Sequence, residues 1–167
     1  MTVFTIILAA LAALALLGWL YLLFFRRRFW LANQRLRRKV KDLDDWPAVA
    51  AIVPARDEAD MVDRAIRSLL DQDYPGQLAV ILVDDYSTDG TAAAARRAAR
   101  ESARPEGFHV IPARALPPGW TGKLSAMETG FEALLKGSEQ SGVHARYVLF
   151  TDADIVHDPL NLKRLVA

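Results

Sequence analysis

From Val3 to Phe25 the chain is apolar without a charge, interrupted only by Thr5 and Gly18. Wound as a helix at about 1.5 Å per residue, this run would be roughly 34 Å long. That covers a hydrocarbon core of roughly 30 Å, so the segment reads as a transmembrane anchor over residues 1–25. A cleaved signal peptide would need a basic start, a shorter apolar core and a small-residue cleavage site. Met1-Thr2 before the run and Phe24-Phe25-Arg26 at its end match none of these.

Past Pro47 the rhythm changes. Ala48 to Val53 is a continuous apolar run of strand length, and Leu78 to Val83 is a second. Such runs suit strands buried on both faces of a sheet. Between them Val62, Ala65, Ile66, Leu69 and Leu70 recur at helical spacing, predicting a helix from Glu58 with Asp57 as its cap. A second helix is expected over 91–102, with Ser87, Thr88 or Asp89 available to cap it. Short strands follow at 108–111 and 146–151, separated by a proline-bearing loop over 112–121 and a helix over 123–135. The stretch 137–145 reads as a loose polar connection, and a last helix begins near Pro159. Strands alternating with helices predict an α/β fold, Rossmann-like, with a mostly parallel sheet.

Charge divides the chain further. The whole carries 21 Lys and Arg against 20 Asp and Glu, a formal net of +1. Eight of those bases lie in 26–41, where there is no acid, leaving 13 bases against all 20 acids in 42–167, a net of −7. A basic run beside a spanning helix holds that side in the cytoplasm and faces anionic lipid. A nucleic-acid patch is the weaker reading of the same charge next to an anchor. Residues 26–47 thus read as a basic juxtamembrane segment and hinge, with the folded domain over 48–167. The absence of cysteine excludes disulfides and thiolate metal sites and fits a reducing compartment.

Three polar clusters, at 54–58, 84–89 and 151–154, each follow an apolar strand. In open parallel sheets ligands bind beyond the carboxyl ends of the strands, so the clusters should converge on one edge. Asp84 and Asp85 end a buried strand, where unpartnered carboxylates are costly. Asp85 is a candidate acceptor for a base N–H or a ribose hydroxyl, whereas Ser87 and Asp89 better suit turn and cap roles. Asp152 and Asp154, two apart in an extended segment, would point the same way, toward a hard cation such as Mg²⁺ or Mn²⁺. Gly122 and Lys123 sit where a helix amino end and a full charge would favour an anion. Trp120 is equally suited to a core or an interface. His109, His144 and His157 are too scattered for a metal site and read as surface or helix-end residues.

Pro54-Ala55-Arg56-Asp57-Glu58, Val83-Asp84-Asp85-x-Ser87-Thr88-Asp89-Gly90-Thr91, Gly119-Trp120-Thr121-Gly122-Lys123 and Asp152-Ala153-Asp154, in that order, resemble family 2 glycosyltransferases of the GT-A fold. Pro117 to Lys123 behind an amino-terminal anchor resembles most the bacterial hopene-associated members. The resemblance implies a nucleotide-diphosphate-sugar donor, often UDP-linked, and the anchor with its basic flank suggests a lipid-like acceptor at the cytoplasmic face of the bacterial inner membrane. Pro54, Ala55 and Glu58 would line the nucleoside pocket and Asp85 would contact the base. Asp152 would approach the ribose or sugar, Asp154 would ligate the divalent metal, and Lys123 would lie near the donor. Where the family usually has Asn, this chain has Asp57. The resemblance also places the general base in a Glu-Asp pair beyond Ala167, so these residues would be the amino-terminal part of a longer enzyme. A membrane-tethered nucleotide-binding fragment is the non-enzymatic alternative. A further one is a haloacid-dehalogenase-type phosphatase with Asp152 as nucleophile, which would need its motif on the first strand rather than after three others.

Overall fold

The computed structural model describes residues 2–25, 36, 40, 42–141 and 144–167, with the side chains of 138–141 undescribed. It divides into two units, 1–36 and 37–167. In the first, helix α1 runs Val3–Phe25, the bounds that the apolar run predicts, and is long and apolar enough to cross a membrane. Most of the basic segment over 26–41 lies outside the described residues.

The second unit is built as β1 (Val49–Ala55), α2 (Val62–Leu70), β2 (Leu78–Asp84), α3 (Thr91–Arg100), β3 (Phe108–Pro112), α4 (Gly122–Ser141), β4 (Tyr147–Phe150) and α5 (Asn161–Val166). The four strands form one sheet in the order β3-β2-β1-β4, every pairing parallel. It is the Rossmann-like α/β arrangement that the alternating pattern predicts.

Alternation along the two central strands sorts their side chains between two cores. Val49, Ala51, Val53 and Ala55 of β1, with Leu78, Val80 and Leu82 of β2, pack with Val62, Ile66, Leu69 and Leu70 of α2 and the alanine face of α3. Ile52, Ile81 and Val83 turn the other way, toward Ala126 of α4. Val53, Val80, Leu82 and Val83 are fully buried, as both-face coverage requires. Helix α4 lies close on the sheet because residue 130 is glycine. A Cβ there would stand 2.6 Å from Ile52 Cγ2 and 3.0 Å from Val83 Cγ2.

Several boundaries differ from the sequence pattern. Helix α2 starts at Val62 rather than near Glu58, and its cap position is Met61, with no side-chain cap. Asp57 does not cap it: Asp57 sits in the left-handed region (φ 53°) and is engaged elsewhere. Helix α4 extends to Ser141, through part of the expected polar connection. Strand β4 is shorter than the expected 146–151, and Tyr147 and Phe150 are both open to solvent.

The connections β1-α2-β2-α3-β3 progress one way across the sheet, and the chain then returns through α4 to place β4 on the far side of β1. Strand order therefore reverses between β1 and β4. Loops leaving adjacent strands at such a reversal diverge and open a crevice at the carboxyl edge.

Candidate functional site

A cavity of about 370 Å³ occupies that crevice, lined by Pro54, Ala55, Arg56 and Glu58 after β1, Asp85 after β2, Gly122, Lys123 and Ala126 of α4, and Asp152, Ala153 and Asp154 after β4. All seven residues singled out as donor or metal candidates lie on it. A larger apolar cavity of about 490 Å³ opens at the opposite edge, around Ala48, Leu78 and Gly107, and contains none of them. Convergent polar groups mark a small-molecule site better than size does, so chemistry selects the smaller cavity.

The loops after β1 and β2 are bolted together by reciprocal hydrogen bonds. The Asp57 N–H donates to Ser87 Oγ (3.0 Å), while Asp57 Oδ1 accepts from the Thr88 N–H (2.8 Å). The Glu58 N–H donates to Thr91 Oγ1 (2.8 Å) and the Ala59 N–H to Asp89 Oδ2 (2.9 Å). Asp89 Oδ1 also accepts from the Thr91 N–H and hydroxyl. These bonds, the Thr91 hydroxyl foremost and then the Ala59 N–H, hold the Asp89 carboxyl below its ordinary range. Asp57 is thus a turn residue. Asp and Asn tolerate the left-handed region and share the same acceptor oxygen, so Asp serves this turn as Asn would.

Asp85 leaves β2 with its N–H donating to Ala55 O (2.8 Å) and its side chain mostly covered, 3.6 Å from the Arg56 guanidinium. It lies against the first residue of α4: a Cβ on Gly122 would come within 2.5 Å of Asp85 Oδ2. Thr121 precedes the helix and its Oγ1 accepts the Leu124 N–H (3.4 Å) as a cap. The positive end of a 20-residue helix therefore meets the cavity beside Lys123. Lys123 Nζ bonds Asp152 Oδ1 at 2.6 Å, closing the cavity from α4 to the segment after β4.

Asp152 and Asp154 reach the cavity by a different route from the extended one predicted. The chain leaves the sheet at Phe150 and turns at 153–154, with the Ile155 N–H donating to Asp152 O (3.4 Å). Ala153, buried, forms the wall between them. Asp152 is engaged by Lys123, whereas the exposed Asp154 carboxylate has no protein partner among the described residues. Among those residues no group of three or more His, Asp and Glu gathers tightly enough to hold a metal alone. A Mg²⁺ or Mn²⁺ here would complete its shell from phosphate oxygens and water, the usual habit of such ions at phosphate sites.

Two residues carry more than the sequence pattern signalled. Arg56 lines the cavity and pairs with Asp85, a partner 29 positions away that no local spacing announces. His157 is neither a surface nor a simple helix-end residue. It is half-buried, with Nε2 3.0 Å from Thr151 Oγ1 and Nδ1 3.0 Å from Asn161 Nδ2. Trp120 is exposed and belongs to no core.

A parallel sheet, a crevice at its reversal point and paired acidic strand ends define a Rossmann-like α/β architecture with its candidate site at the strand ends. Residues 50–167 match the family described as Glycosyl transferase family 2, and the chain belongs to that family. No curated protein matches the chain in sequence. Among solved structures, it is similar to the mannosyltransferase PcManGT from Pyrobaculum calidifontis in complex with GDP-Man and Mn²⁺. That likeness has a TM-score of 0.64 at 28% identity and covers 95% of this chain and 41% of the other. The chain thus spans about two-fifths of the length of that protein. S. aureus TarS 1-349 with UDP-GlcNAc aligns at a TM-score of 0.49 and 24% identity, over 70% of this chain and 29% of the other. Glucosyl-3-phosphoglycerate synthase of M. tuberculosis aligns at 0.48 and 22%, over 72% of this chain and 40% of the other.

Proposed function

We propose that the cavity is the donor site of a metal-dependent glycosyltransferase that takes a nucleotide-diphosphate sugar. The observation that carries this reading is the convergence of Asp85, Lys123, Asp152 and Asp154 on one crevice at the strand-order reversal. Pro54, Ala55 and Glu58 form the nucleoside wall in this reading, and Asp85 accepts a hydrogen bond from the base. Arg56 orients Asp85 through their ion pair. Lys123 and the amino end of α4 attract the diphosphate, with Lys123 exchanging Asp152 for a phosphate oxygen and freeing Asp152 for the ribose or sugar. Asp154, exposed and without a protein partner among the described residues, would hold the divalent cation. When bound, Mg²⁺ or Mn²⁺ supplies charge neutralisation for the departing diphosphate. The GDP-Man and Mn²⁺ in the Pyrobaculum neighbour support both the donor class and the metal.

Helix α1 supports a membrane-bound protein in which the basic flank faces the bacterial cytoplasm. A lipid-like acceptor, hopanoid-related by the Pro117–Lys123 motif, fits that setting. Calorimetric titration of the full chain in detergent micelles with UDP and with GDP, with and without Mn²⁺, tests the reading. Binding is expected only with the metal, and Asp154→Ala should abolish that metal-stimulated binding. Metal-indifferent binding, or none by either nucleotide, would count against it.

A further inference from the structure

Both carboxylates of Asp152-Ala153-Asp154 lie inside a short loop whose ends are joined by side chains. Thr151, the first residue beyond β4, and His157, six positions on, meet through Oγ1 and Nε2 at 3.0 Å. The two ends are themselves anchored. The Thr151 N–H donates to Ile52 O on β1 (3.2 Å), and the His157 N–H donates to Ser68 Oγ on α2 (3.0 Å). Ser68 in turn donates to Ala65 O (2.8 Å), so its hydroxyl is fixed as the acceptor for His157.

The remaining contacts set the ring's tautomer. With the Asn161 amide donating to Nδ1, the ring proton lies on Nε2, which then donates to Thr151 Oγ1. Burial pushes the His157 pKa below its ordinary 6.5, which keeps the ring neutral at pH 7. Just beyond, Gln72 binds Asp158 O through Nε2 (2.9 Å) and the Leu162 N–H through Oε1 (2.9 Å). The far side of the loop is therefore strapped to Ser68 of α2 and to Gln72 just past its end, while its near side hangs from β1.

The geometry points to His157 as a positioning residue for the proposed cation and donor site: by clipping the loop shut at Thr151 it fixes the backbone that carries Asp152 and Asp154. The inference rests on the donor-site reading. A loop ordered beforehand binds more tightly, because the entropy of fixing it is already lost before the ligand arrives. His157 touches neither donor nor cation in this role.

The test uses the full chain in detergent micelles and three variants. His157→Ala removes both ring contacts. His157→Gln keeps an amide N–H able to reach Thr151 Oγ1, whereas His157→Asn is too short to do so. Amide hydrogen exchange over 151–156 reads the clip without any ligand, and Mn²⁺ affinity in the presence of UDP or GDP, by electron paramagnetic resonance, reads the site. Expected are faster exchange and roughly three- to tenfold weaker Mn²⁺-nucleotide binding in the Ala and Asn variants, with the Gln variant close to wild type on both. Unchanged exchange, or equal loss in all three variants, overturns the positioning role while leaving the donor site standing. If exchange responds as expected but the wild-type chain binds neither Mn²⁺-nucleotide pair, the donor-site reading fails and takes the inference with it.

Discussion

Gly122 and Asp85 approach so closely that no side chain fits between them: a Cβ at residue 122 would stand 2.5 Å from Asp85 Oδ2. The first residue of α4 thereby sets where the carboxylate after β2 points. Gly122→Ala should leave folding nearly intact, since a carboxylate end can swing aside and Ala suits a helix. The displaced Asp85 should weaken nucleotide binding about tenfold, measured by calorimetry with Mn²⁺ present. A dissociation constant within twofold of wild type would show that Asp85 orientation is immaterial.

A second glycine of α4 governs stability instead. Gly130→Ala drives a methyl into Ile52 and Val83 and should destabilise the fold by about 1–3 kcal/mol, net of the better helix propensity. Gly137 faces open space for a Cβ, so Gly137→Ala should stabilise by about 0.5–1 kcal/mol. Urea unfolding of the two variants should move in opposite directions.

The bolt between the first two loops makes a prediction about conservative change. Asp57→Asn keeps the Oδ1 acceptor for Thr88 and tolerates φ 53°, and should be close to neutral. Asp57→Ala loses both and should lower stability by about 1–3 kcal/mol. Equal thermal midpoints for the Asn and Ala variants would refute the turn role.

Asp89 links the same bolt to pH. Its folded pKa lies below the ordinary 3.8, so its stabilisation is fully present above that value and is lost as pH falls through the lower folded one. Asp89→Asn cannot ionise and should flatten the acid limb of a stability-against-pH curve below about pH 4. Parallel acid limbs in the two proteins would contradict the assignment.

Helix α1, the four strands and the meeting of three polar clusters are legible in the sequence because each follows from periodicity or from uninterrupted apolar runs. The start of α2 is not. Asp57 takes a left-handed turn and the Met61 N–H folds back on Glu58 O, postponing the helix, and nothing in the local spacing encodes that choice. Asp152 and Asp154 are legible as a pair but not as a turn, since the turn depends on where β4 stops pairing with β1. Arg56 and His157 escape for a related reason. Arg56 owes its role to Asp85 on another loop, and His157 to Ser68, 89 positions earlier.

The reversal between β1 and β4 also orders the assembly of the site in time. Strands β1, β2 and β3 pair through short consecutive crossovers, so Glu58 and Asp85 meet by local steps. Asp152 and Asp154 arrive only when Tyr147 pairs back with Val49, a closure spanning most of the domain. Long-range pairing of that kind carries the larger loop entropy and is slow. A chain emerging from synthesis thus brings Glu58 and Asp85 together early and completes the crevice with Asp152 and Asp154 last.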